Sequence, residues 1–89
     1  MEKKAVILSE KDNVATIISE VVKKGDIVNC MSKKVKALED IVFGHKIALM
    51  NLKNGEYVIK YGERIGKATK DIRKGEYVHT HNVENLVWY

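Results

Sequence analysis

The chain has 89 residues, 45% apolar and 31% charged, a balance that suits one small globular domain over residues 1–89 and excludes disorder. A domain this short buries roughly 60–65% of its unfolded surface, and no apolar run nears the ~20 residues that span a bilayer. Its single cysteine, Cys30, excludes an internal disulfide and a thiolate zinc cage, which favours a reducing cytoplasm.

The net charge of +4 is spread thinly. Residues 1–40 carry 8 Lys/Arg against 7 acids, and residues 41–89 carry 8 against 5. Lys23-Lys24 and Lys33-Lys34 are isolated pairs, not a basic stripe with interleaved aromatics, so no nucleic-acid partner is expected. A mildly cationic cleft for an organic anion suits these charges better.

Met1-Glu2-Lys3-Lys4 precedes only a four-residue apolar patch, Ala5 to Leu8, so neither a signal peptide nor a membrane partner is expected. That patch reads as a short buried strand. Ser9-Glu10-Lys11-Asp12 then has the form of a capping box. Val14, Ile17, Ile18, Val21 and Val22 follow at helical spacing, with Lys23-Lys24-Gly25 as a C-terminal stop. One helix over about 12–24 is therefore predicted, core-forming and without chemistry.

Beyond it a weak repeat sets in. Lys24-Gly25-Asp26-Ile27-Val28, Asn54-Gly55-Glu56-Tyr57-Val58 and Lys74-Gly75-Glu76-Tyr77-Val78 each join a turn glycine, an acid and the apolar start of a strand. Spacings of 30 and 20 residues are too uneven for a solenoid. The chain has six glycines and no proline, and Gly62 and Gly66 are expected to bracket a tight bend. The predicted class is mainly β with one short helix (α+β), built of short strands joined by glycine turns.

All three histidines, His45, His79 and His81, lie in the second half. His79-Thr80-His81 on a strand would present two imidazoles on one face, with Asn82 next in line. Such a pair is a candidate for one metal ion, with a third ligand from His45, Glu63, Glu76 or another chain. Lys46 is placed to pair with a substrate carboxylate or to face solvent, and Tyr61 to donate a hydrogen bond or to pack. Cys30 reads as a small buried hydrophobe. Trp88-Tyr89 suggest docking onto the core or a partner.

Three strings carry a resemblance: Phe43-Gly44-His45-Lys46-Ile47-Ala48-Leu49, then Gly55 through Thr69, then Gly75-Glu76-Tyr77-Val78-His79-Thr80-His81-Asn82. Together with Asp12-Asn13-Val14-Ala15-Thr16 they resemble the N-terminal SAF domain of the altronate/galactarate dehydratase family over roughly residues 10–83. The resemblance implies a β-clip fold. It also implies β-elimination of water from sugar acids, or of sulfite in the related sulfolactate lyases, with a divalent metal, commonly iron. Those dehydratases carry a much larger C-terminal catalytic region. A natural small subunit of a two-chain hydro-lyase is therefore expected, with a large catalytic subunit as partner, self-association left open, and the isolated chain inactive. The resemblance implies that His45, His79, His81 and Asn82 face the active site, without fixing their roles; His45, His79 and His81 are the expected catalytic residues, with Lys46, Tyr61 and Asn82 against the substrate. The rival class is a free-standing SAF module that binds a small ligand or metal without catalysis.

Overall fold

The computed structural model describes residues 2–86, so the expectation for Trp88 and Tyr89 falls outside the described residues. The described chain is all β: β1 (Glu2–Val6), β2 (Val14–Ile17), β3 (Ile27–Cys30), β4 (Lys33–Lys36), β5 (Lys46–Ala48), β6 (Tyr57–Lys60), β7 (Glu63–Ala68), β8 (Tyr77–Val78) and β9 (Val83–Asn85). Six strands form one sheet in the order β4-β3-β1-β2-β5-β8, and β6-β7-β9 form a second. Only β1 and β3 run parallel. Among the described residues no helix is long and apolar enough to cross a membrane.

The predicted helix over 12–24 is absent, and its composition explains why. Val14, Ile17, Ile18, Val21 and Val22 are β-branched, stiff at χ1 and better packed on a pleat than on a helix. Of the supposed apolar stripe, Ile18 and Val21 face solvent while Val14, Ile17 and Val22 are buried. The polar residues that resemble a helix cap hold other backbone. Asp12 accepts the N–H groups of Gly62 and Leu8, and Asn13 bridges Ile59 N–H and Tyr57 C=O. The first strand also sits earlier than expected, ending at Val6 and leaving Leu8 exposed.

The repeat proves to be a duplication. Val22–Leu49 and Leu52–Thr80 have the same succession of bridge, glycine turn, hairpin, bridge and second glycine turn. Val22 bridges Ile41, and Leu52 bridges Ile72, each pair exchanging two backbone hydrogen bonds. The β3–β4 hairpin is regular, whereas the β6–β7 hairpin shifts register after Val58 and bulges at Ile65. That one extra residue turns an offset of 30 (22 to 52) into 31 (41 to 72). Gly66 therefore lies inside β7 instead of closing a bend: a Cβ there would stand 2.5 Å from Val83 Cγ1 and 2.7 Å from Glu84 O, so glycine lets β9 approach.

Two apolar clusters result. Ala15, Ile17, Val22, Val28, Cys30, Ile41 and Ile47 fill one, with Tyr77 at its margin. Val14, Ala48, Leu52, Val58, Ile72 and Val78 fill the other, with Ile65 at its margin. Strands β2 and β5 lie between them, since alternate residues of each strand point to opposite clusters.

Candidate functional site

Four glycine turns share one geometry, and the fourth carries the chemistry. In each, the N–H of Gly25, Gly44, Gly55 or Gly75 bonds to a carbonyl of a segment distant in sequence, with φ between +84° and +94°. Three turns carry an acid after the glycine, whose carboxylate accepts a backbone N–H three residues back: Asp26 from Lys23, Glu56 from Lys53, Glu76 from Arg73. The same three have a second polar cap, Asp40 on Lys24 N–H, Asp71 on Asn54 N–H and Asn51 on Lys74 N–H. In the turn at Phe43-Gly44 both capping positions differ: one is Val21, the other His45. Position 45 thus gives up a local backbone bond and holds an imidazole directed elsewhere. Local rules yield in this way where a residue serves a site.

His45 sits just before β5 and His79 just after β8, and these strands pair antiparallel through Lys46↔Val78 and Ile47↔Tyr77. The ladder brings the two imidazoles to a centre-to-centre distance of 4.5 Å. His45 Nδ1 is hydrogen-bonded to the Tyr77 hydroxyl at 2.5 Å. The Tyr77 ring in turn lies parallel to His79 at 5.7 Å and tilted against His81 at 5.3 Å. Tyr77 is thus the centre of a four-ring group.

His79-Thr80-His81 does not form the expected strand, because β8 ends at Val78 and residues 79–82 turn, with Asn82 N–H bonding to His79 C=O at 3.1 Å. Asn82 is buried, 1% exposed. Its amide accepts His79 N–H and donates to Tyr77 C=O, so it fixes the turn that aims His79. His81 is exposed at the turn's outer side.

Lys46 points to the opposite face of β5 from His45 and lines a cleft of about 110 Å³ with Ile65, His79, Thr80, Val83 and Asn85. Burial, and then the nearby Lys60, hold its ammonium below the usual lysine pKa. Burial also lowers the pKa of His79, helped by His45, Lys46 and His81, so His79 favours its neutral form. Tyr61 stands apart in the β6–β7 turn at φ +55° with Lys60 Nζ 4.9 Å above its ring, and is not among the residues that line the cleft.

The divalent metal that the family resemblance implies is only half provided for. Among the described residues no three His, Cys, Asp or Glu side chains are placed to hold an ion. Glu76 caps its own turn and Glu63 opens β7 opposite Lys60. His45 and His79 offer two imidazoles side by side, fewer ligands than a closed metal site needs.

Two residues of the group escaped sequence reasoning. Tyr77 looks like an ordinary strand aromatic in its repeat, and only the β5–β8 pairing shows that it faces His45 across 32 residues of chain. Lys60, on β6, is near enough to Lys46 for its charge to act on that ammonium. A signal for His45 was present: it replaces the acid in a fourth copy of the glycine-turn repeat.

Comparison with known proteins shows the chain's family. The family model for the altronate/galactarate dehydratase SAF domain matches residues 3–86. Altronate dehydratase of Bacillus subtilis is 34% identical over 92% of this chain, but the match spans only 16% of that enzyme. The (2R)-sulfolactate sulfo-lyase subunit alpha of Chromohalobacter salexigens is 33% identical over 93% of this chain and 95% of its own length. The subunit alpha of Paracoccus pantotrophus is 49% identical over 62% of this chain and 82% of its length. The chain spans under a fifth of one relative and nearly all of another, and what they share is the domain: the chain belongs to the altronate/galactarate dehydratase SAF domain family.

Proposed function

We propose that this chain is the small subunit of a two-chain lyase that removes water or sulfite from a sugar acid or related hydroxy acid in the cytoplasm. The observation that carries the reading is the end-to-end match to a relative named as subunit alpha of a sulfo-lyase, a name that implies another subunit. In the reaction, the proton α to a carboxylate goes to a base. Its electron pair forms the double bond, and the β-substituent leaves with its own bonding pair. Neutral His79 suits the base. His45, held through Nδ1 by Tyr77, presents Nε2 to protonate a departing hydroxyl. Lys46 takes the carboxylate. A divalent metal, when bound, supplies Lewis acidity, and the larger subunit completes its ligands.

The aberrant turn also suggests where that subunit docks. Val42 and Phe43 are exposed there, Phe43 at 67%, and Ile18 and Val21 add apolar surface from the segment opposite, directly beside His45. A larger subunit covering this patch would close the histidine group from solvent. A tagged chain recovered from its native cell should bring down a chain of a few hundred residues with lyase activity, while the isolated chain shows none. Phe43→Ser should lose the larger chain yet stay folded. Turnover by the isolated chain, or full assembly by the Phe43→Ser variant, would contradict this reading.

A further inference from the structure

Leu8 and Met31, each 77% exposed, are the two most exposed large apolar side chains among the described residues. They belong to separate segments, the β1–β2 loop and the β3–β4 turn, and meet around a shared hollow with Ile7 and Glu10. A deeper hollow of about 320 Å³ opens beside it, bordered by Ile7, Glu10, Cys30, Met31 and Lys33. The turn that presents Met31 is built against local preference. Its φ of +58° is a left-handed backbone that glycine or asparagine holds more easily than a long side chain. Tyr61 takes the same place in the duplicated hairpin, at φ +55°, and packs against Lys60, whereas Met31 projects into solvent. Strain kept at such a residue points to a contact made outside the chain.

Charge indicates what makes that contact. Glu10 and Lys33 both border the deeper hollow, both are exposed, and neither enters an ion pair among the described residues. An acid and a base at the rim of one apolar hollow make a patch complementary to itself. We propose that the chain forms a two-fold dimer through this patch. Each Glu10 then faces the partner's Lys33, and each Leu8 enters the partner's hollow, since a two-fold axis makes every contact twice. The hollow holds about ten waters' worth of volume, ample for a branched aliphatic side chain. Burial of Leu8 and Met31 against their copies removes the largest apolar exposure from water. The exposed Phe43 lies at the other end of β2. Leu8 precedes that strand and bonds to Asp12, whereas Ile17 at its far end bonds to Gly44. The dimer therefore leaves the histidine group and the Phe43 face uncovered, and it requires neither the lyase reading nor a larger chain.

Sedimentation equilibrium on the 89-residue chain tests this. Its mean mass should rise from one chain to two over about a hundredfold range of concentration. Met31→Gly removes the side chain and suits the positive φ, so it stays folded while its dissociation constant rises about tenfold or more. Lys33→Glu and Glu10→Lys should each weaken the dimer by about the same factor, because like charges then meet twice across the axis. Mixed together, these two variants should pair with each other to within about threefold of the original affinity, since every acid again faces a base. The double variant, Glu10→Lys with Lys33→Glu, should recover in the same way. A single-chain mass at every concentration would overturn the proposal. So would a dimer that survives Met31→Gly, charge variants that associate like the unaltered chain, or a mixture that fails to pair. Loss of the dimer in Phe43→Ser, with Met31→Gly still dimeric, would move self-association to the other patch and overturn it equally.

Discussion

At position 45 a backbone bond and a chemical function compete for one side chain. In the three related turns an acid accepts the N–H three residues back, worth about 0.5–1.5 kcal/mol per bond. His45→Glu should therefore stabilise the chain by about 0.5–1 kcal/mol, a rise of several degrees in melting temperature. On the proposed lyase reading, with His45 as general acid, the same change should cost the assembled enzyme about 100-fold or more in turnover. A melting temperature that falls would show that the imidazole, and not the cap, stabilises this turn.

His79 gives a pH signature of definite sign. Its folded pKa is depressed, first by burial and then by His45, Lys46 and His81, so the unfolded chain takes up its proton first as pH falls below about 6.5. Stability from this residue is complete above that value and declines as pH drops toward the folded pKa. Denaturant midpoints between pH 7.5 and 5 should fall in the unaltered chain and fall less in His79→Gln. A midpoint rising toward acid would reverse the assignment. Much of this group is legible in the residues: His45, His79 and Lys46 stand out by type and spacing. Tyr77 does not, because its role arises from a strand pairing 30 residues apart, Ile47↔Tyr77.

Among the elements, the glycine turns organise the fold, and two with the same φ separate conformational from steric cost. Gly25 and Gly75 both sit at +94°, but a Cβ on Gly25 meets open space while one on Gly75 would lie 2.2 Å from Lys36 O and 3.2 Å from Leu38. Gly25→Ala should cost about 1 kcal/mol, the left-handed penalty alone. Gly75→Ala should cost about 3 kcal/mol or more, since backbone must move. Equal losses in urea unfolding would argue against the close approach of the two halves. The strands after Gly25, Gly55 and Gly75 are readable from glycine, acid and alternation. The helix over 12–24 is misread because β-branched residues meet the helical spacing by coincidence, and Asp12 and Asn13 act as long-range clamps that imitate a cap. The duplication is hidden by the bulge at Ile65 and by the histidine that stands for an acid in its fourth turn.

For the whole molecule, two duplicated hairpin units pack so that β5 of the first and β8 of the second lie side by side, and their ends carry His45 and His79. The site is thus a product of the pairing of halves, with Phe43 exposed near it and two imidazoles side by side. An open, half-furnished site fits a chain whose relatives are a subunit of a sulfo-lyase and one domain of a much longer dehydratase. The most direct test of the proposed lyase reading is kcat/KM of an enzyme reconstituted from this chain and the larger subunit proposed for it, with His79→Ala against the unaltered protein. The account predicts a fall of about 100-fold or more with assembly intact. Turnover within twofold of the unaltered complex would contradict it.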